Sequence, residues 1–187
     1  MNRERTLPVP FELHLDAVAL RRAGQLEIAV ADLYSRMRLP VTGYVYQLTR
    51  STQDAEDIVQ VAFLRLWDEL QQDREIKNIR SWIFRVVHNL AVDYGRRAGV
   101  MRAHAQQEQR EPPRTDGASP ESAAIMRQEI DLALSGLTER ESRALMLRAE
   151  GLRYQEIAEV LGITASAVSV CLVRGLKKFE QKQRRTP

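Results

Sequence analysis

The sequence predicts an all-α protein made of two small helical domains joined by a flexible linker. Three observations predict it. Apolar residues recur at three- and four-residue intervals almost throughout, the spacing of a helix face, and the β-branched alternation of a half-buried strand is absent. Helix-start signals stand before several of these runs, a serine or threonine followed three residues later by an acid. A polar stretch over residues 104–119, with Gln106, Gln107, Gln109, Pro112, Pro113, Asp116 and Gly117, has only alanines as apolar residues and reads as a proline-stiffened linker. The division that follows is an N-terminal extension over residues 1–13, a first domain over 14–100, a linker over 101–118 and a second domain over 119–187.

Composition narrows the function classes. With 187 residues, Lys+Arg 28 and Asp+Glu 25, the chain is globular and only mildly basic. Its single cysteine, Cys171, excludes an internal disulfide framework and cysteine-rich metal sites, which makes a reducing, cytoplasmic setting the expectation. No run reaches the ~18 apolar residues of a membrane span, and residues 1–5 lead into no signal core, so no membrane insertion is expected. His14, His88 and His104 lie far apart, no glycine-rich phosphate loop is present and no nucleophile has a base beside it, so the chain reads as a non-enzyme without cofactor or metal. Charge is unevenly spread. Residues 54–69 hold Asp54, Glu56, Asp57, Asp68 and Glu69 against Arg65, whereas residues 174–187 hold Arg174, Lys177, Lys178, Lys182, Arg184 and Arg185 against Glu180. Faces of opposite sign imply different partners.

In the first domain, Ser51 to Asp54 has capping-box spacing before an amphipathic run over residues 55–70. Ala55, Ile58, Val59, Ala62, Leu66 and Leu70 take the core spacing and leave an acidic face outside; Phe63 and Trp67 form a ridge beside that face or pack against neighbouring helices. The next helix spans about residues 79–97. Ile83, Val86, Val87, Leu90 and Tyr94 project to one side, and Trp82, Arg85, Asn89 and Arg96 to the other, with Ser81 and His88 at its edge. An indole beside cations and an amide suits a reader of unstacked bases, although Trp82 folded under the preceding loop fits the spacing equally well.

The second domain opens at Ser119-Pro120-Glu121, an N-cap, a proline at the first helical position and an acid in the first turn. A capping box at Thr138 and Glu141 starts a helix that stops at Gly151; a short helix over residues 154–161 follows, then Gly162, then a longer helix capped by Thr164. Ala158 permits close approach, Gly162 a positive φ, and β-branched Val168 fills the angle between helices, which is a helix-turn-helix. Ser166, Ala167, Ser169 and Val170 then face base edges, and Arg174, Lys177 and Lys178 meet phosphates. Gly175 marks a close approach or the start of fraying.

Residues 54–67, 81–94 and 137–161, taken together, resemble bacterial RNA polymerase sigma factors of the extracytoplasmic-function (ECF) group, and the resemblance spans residues 14–179. It implies that Asp54, Glu56, Asp57, Gln60, Phe63 and Trp67 dock on the clamp coiled coil of core RNA polymerase. It further implies that Lys77, Asn78, Arg80, Ser81, Trp82, Arg85, Asn89, Arg96 and Arg97 bind and melt the minus-ten element, with the loop over residues 71–79 capturing a flipped base. Arg153, Tyr154, Thr164, Ser166, Ala167, Ser169, Val170, Arg174, Lys177 and Lys178 would bind the minus-thirty-five element of promoter DNA. The linker would run through the polymerase, the flap would make a second contact, and an anti-sigma factor is an expected partner. This chain departs from the family in carrying Ser169 and Cys171 where lysine and arginine are usual, and Gly175 where alanine is usual. Each missing phosphate contact flattens the salt dependence of binding by nearly one unit of slope. The competing reading is a stand-alone helix-turn-helix regulator that binds duplex DNA unaided and whose first domain senses a ligand or dimerises.

Overall fold

The computed structural model describes residues 25–72, 74–102 and 136–183. These form six helices and no strand: α1 (Leu26–Thr49), α2 (Thr52–Gln71), α3 (Ile79–Arg102), α4 (Glu139–Ala149), α5 (Tyr154–Leu161) and α6 (Ala165–Gln183). The extension, most of the linker and the helix start at Ser119 lie outside the described residues.

Helices α1 to α3 pack on one another as the first lobe. Leu33, Met37, Val41, Tyr44 and Val45 line the inner side of α1, a spacing of three and four carried through Pro40 within the helix. Arg50 ends α1 in the left-handed conformation (φ 57°), its N–H donating to the Tyr46 carbonyl. Ser51 Oγ then accepts from Asp54 N–H at 3.3 Å and starts α2, where all six residues of the expected core stripe are buried. At the start of α3 Asn78 Oδ1 accepts from Ser81 N–H at 3.1 Å.

The buried stripe of α3 differs from the projected one. Ile79, Ile83, Phe84, Val87 and Ala91 are buried, while Val86, Leu90 and Tyr94 are only partly covered. The cause is packing on more than one side: α3 meets α1 and α2 in its own lobe and α5 of the other. Phe84 lies edge-on to Tyr44, with ring centroids 5.5 Å apart. Tyr44 Oη and His88 Nδ1 share a hydrogen bond of 2.8 Å, so His88, expected at the edge of the polar face, is a buried core residue. Burial holds the imidazole at a pKa of about 4, helped by Arg143 of the second lobe, and burial likewise pushes the Tyr44 phenol up.

The second lobe follows its local signals closely. Thr138 and Glu141 form both halves of the capping box on α4 (2.8 and 3.3 Å). Helices α5 and α6 meet at 100°, with Gly162 between them at φ 63° and Ala158 and Val168 buried in the angle. Thr164 Oγ1 accepts from Ala167 N–H at 3.2 Å. Gly175 is a close approach rather than a frayed end, since a Cβ there would lie 2.8 Å from Leu145 Cδ1 and α6 continues to Gln183. Beside it Lys178 reaches back to Glu141 at 2.6 Å and fastens α6 to the first turn of α4.

Candidate functional site

Three surfaces carry the residues singled out by sequence. The first is acidic. Burying Ala55, Ile58, Val59 and Ala62 turns Glu56, Asp57 and Gln60 outward on α2, where they form one wall of an open groove of about 260 Å³. Arg38 and Leu39 of α1 form the facing wall, and Leu39 is 63% exposed. Farther along α2, Val61 and Leu64 are exposed as well. Apolar side chains rimmed by acids on one helix face are the make-up of a protein-docking surface. Asp54 and Trp67 are half-buried at its edge. Phe63 corrects the expectation: it is buried, edge-on to Tyr34 with centroids 4.9 Å apart, and belongs to the core between α1 and α2.

The second surface is the start of α3 and the loop before it. Arg74 donates to both carboxylate oxygens of Glu69 (2.9 and 3.1 Å) and ties the loop to the end of α2. Lys77, Asn78, Arg85, Asn89, Arg96 and Arg97 are exposed; Arg96 lies 4.0 Å from Asp93. Trp82 is half-buried and packs against the core, so only part of its ring is available for stacking. Ser81 is a second correction, because its side chain is buried in the first turn of α3.

What no sequence pattern indicated is that the second lobe engages this surface. Asn78 Nδ2 donates to Glu156 Oε1 at 2.6 Å; Arg80 Nη1 donates to the Glu150 carbonyl at 2.9 Å and to its carboxylate at 3.3 Å; Arg85 lies 3.7 Å from Glu159. Three acids from the end of α4 and the length of α5 thus stand where phosphates would meet three residues expected to bind DNA. The fit is imperfect. Arg80 Nε is buried without a partner, and burial pushes the Glu150 carboxyl up against the pull of Arg80.

The third surface is the outer face of α6. Val168, Leu172 and Gly175 are buried, so Ser166, Val170, Val173, Arg174 and Lys177 point away from the lobe, and Ala167 and Ser169 are half-buried at its margins. At the start of α5, Arg153 and Tyr154 are exposed, with the Arg148 guanidinium 5.8 Å from the Tyr154 ring centroid. Lys178 is exposed beside Arg174 and Lys177, and its ammonium pairs with Glu141 at 2.6 Å. Val173, 65% exposed, joins Ser166 and Val170 on this face at helical spacing and is a residue that the candidate set lacks. Among the described residues no cluster of histidine, cysteine and carboxylate groups could hold a metal ion, and no single helix is long and apolar enough to cross a membrane.

Comparison with known proteins agrees with this arrangement. The family Sigma-70 region 2 matches residues 33–100, which take in α2, nearly all of α3 and most of α1, and the family Sigma-70, region 4 matches residues 127–179, which contain the helix-turn-helix. The chain is 26% identical to the RNA polymerase sigma factor YlaC of Bacillus subtilis, over 83% of this chain and 94% of that protein. It is 31% identical to the ECF RNA polymerase sigma factor SigJ of Mycobacterium tuberculosis over 77% of its length, and 29% to SigE of Mycolicibacterium smegmatis over 72%. It spans about half of each of those two proteins (48% and 53%). In fold it is similar to CnrH in complex with the cytosolic domain of CnrY (TM-score 0.61, 21% identity, 92% of this chain and 99% of that one). It is also similar in fold to the sigma factor RpoE in complex with the anti-sigma factor NepR from Bartonella quintana (TM-score 0.60, 18% identity, 83% and 99%). With both sigma-70 regions present in order and mapped onto two helical lobes, the chain belongs to the sigma-70 family, in its extracytoplasmic-function group.

Proposed function

We propose that this chain binds core RNA polymerase and supplies promoter recognition and DNA melting. The observation that carries the proposal is the division of one helical bundle into two unlike surfaces, an acidic and apolar groove on α1 and α2 and an amide- and cation-bearing face on α3, in a chain of this family. Glu56, Asp57 and Gln60 make the polymerase contact on the clamp coiled coil, with Asp54 and Trp67 at its edge. Lys77, Asn78, Arg80, Arg85, Asn89, Arg96 and Arg97 surround the opening duplex, with the outer edge of Trp82 as the stacking surface. The cost of unstacking a base is a few kcal/mol, which stacking and phosphate contacts offset. The second lobe reads duplex DNA upstream, and the flap gives it a second hold on the polymerase. An anti-sigma partner is part of the proposal, supported by the fold shared with two proteins solved in complexes, as is action in the cytoplasm without catalysis by the chain itself.

Transcription from fragmented genomic DNA with core polymerase, with and without this protein, is the test: new transcripts from defined start sites are expected. Their absence, with unaided duplex binding, would favour a stand-alone regulator. Within that assay Asn89→Ala is expected to slow open-complex formation by about 1–3 kcal/mol in barrier, the worth of an amide paired to a base edge, and leave core affinity unchanged, because Asn89 is exposed and clear of the groove. An equal loss of core affinity would reassign it to the fold.

The lobe-to-lobe contacts set a further expectation. Promoter DNA must displace Glu150 and Glu159 from Arg80 and Arg85, so Glu150→Gln with Glu159→Gln is expected to tighten binding of a single-stranded minus-ten oligonucleotide from a mapped promoter by about tenfold. That corresponds to roughly 1.4 kcal/mol from one part-buried and one exposed pair. Fluorescence anisotropy on the free protein measures it, and unchanged affinity would mean that these acids do not compete with DNA.

A further inference from the structure

The outward face of α6 has an unusual chemistry for a helix offered to the major groove. Its first three turns present Ser166, Val170 and Val173, and the valines are 47% and 65% exposed. The opposite face, with Val168, Leu172 and Gly175, is committed to the lobe interior, where Gly175 passes close to Leu145 and Lys178 reaches Glu141. Arg174 and Lys177 follow one turn later on the same face. Cations flanking the valines match a polyanion rather than an apolar protein groove.

Arginine, asparagine and glutamine read bases through paired hydrogen bonds, and none of them stands on this face before Arg174. Ser166 bonds either kind of base edge. The one major-groove feature an aliphatic side chain distinguishes is the 5-methyl group of thymine. We infer that Val170 and Val173 are specificity-determining residues that read thymine methyl groups in the upstream promoter element, with Arg174 and Lys177 holding the flanking backbone. This rests on the proposed role in promoter recognition and names the base chemistry that role uses. Ser169 and Cys171, half-buried at the margins of the face, leave that reading to the valines.

The experiment uses holoenzyme, core polymerase with the full chain, on promoters mapped by their transcripts. Each thymine of the upstream element is replaced in turn by deoxyuridine, which lacks the methyl group and keeps every hydrogen-bonding atom. A loss of about fourfold in promoter binding is expected at the thymines facing the valines, the worth of one buried methyl. In Val170→Ala holoenzyme the difference between thymine and deoxyuridine vanishes at one position, and in Val173→Ala at its neighbour. Both variants keep the wild-type salt slope, whereas Lys177→Ala flattens it by nearly one unit. Both valines are exposed, and unchanged thermal melting checks that the variants fold. Deoxyuridine without effect at every position, while base-pair changes in the same element still weaken binding, would overturn the inference and leave promoter recognition standing. Transcription indifferent to the whole upstream element would instead overturn the reading on which it rests.

Discussion

Acidification from pH 6.5 to pH 4 is expected to remove about 3 kcal/mol of stability through His88 alone. Its imidazole has an ordinary pKa of 6.5 in the unfolded chain and about 4 in the fold, lowered first by burial and then by Arg143. The native state therefore binds fewer protons than the unfolded state between these values, and stability falls as pH falls, at up to about 1.4 kcal/mol per pH unit. Above pH 6.5 the contribution is fully present; below pH 4 both states are protonated and the slope disappears. The groups facing the ring are the Tyr44 hydroxyl at 2.8 Å and, across the lobe boundary, Arg143, which Glu139 partly neutralises at 2.8 Å. Denaturant unfolding at a series of pH values, with His88→Gln as reference, measures the effect. The variant is expected to lose nearly one proton's worth of slope in that window; identical slopes would show that the imidazole titrates normally.

Glu141→Ala is expected to cost the second lobe about 3 kcal/mol. Glu141 is a buried acid with three hydrogen bonds to two partners: its Oε2 accepts from Lys178 at 2.6 Å and from Thr138 N–H at 2.8 Å, while its backbone N–H donates to Thr138 Oγ1. The Lys178 hydrogen bond, followed by that from the Thr138 backbone, holds its carboxyl below the usual range. Truncation removes half a capping box and a charge-assisted bond, and leaves the Thr138 N–H to water. Glu141→Gln is expected to recover part of the loss by keeping the acceptor for Thr138. Thermal melting followed by circular dichroism checks both, and a loss under about 1 kcal/mol would show that the Lys178 bond contributes little.

Where local chemistry decides the structure, the sequence was legible. Ser51 and Thr138 start their helices through bonds within one turn, and Ala158, Gly162 and Val168 sit in the helix-turn-helix for the steric reasons that identified them. Legibility declined as the deciding partner became more distant. Helix α1 carries no comparable start signal, since no side chain caps its first turn, Pro40 lies within it, and its inner face is defined by packing on α2 and α3. The buried arc of α3 is wider than the projected stripe, taking in Ile79, Phe84 and Ala91 beside Ile83 and Val87, because a 100° projection assumes one buried side and this helix has more. The resemblance implies a polymerase contact for Phe63 and a DNA contact for Ser81, and packing that a motif does not show buries both side chains. The pairing of Arg80 and Arg85 with Glu150 and Glu159 joins residues about seventy positions apart, and a surface acid shows no sign in sequence of what faces it.

The hydrogen bond between Asn78 and Glu156 joins two groups that are each already employed. Asn78 gives its carbonyl oxygen to the first turn of α3 and only its amide hydrogens to the other lobe; Glu156 gives Oε2 to the Arg153 N–H and only Oε1 across the boundary. Parting the lobes therefore unravels neither helix, since each keeps its own end closed. The joint behaves as a press-stud rather than a weld in this respect: its polar bonds are ones that water or phosphate can replace, and both halves keep the helix ends that shaped them to close again.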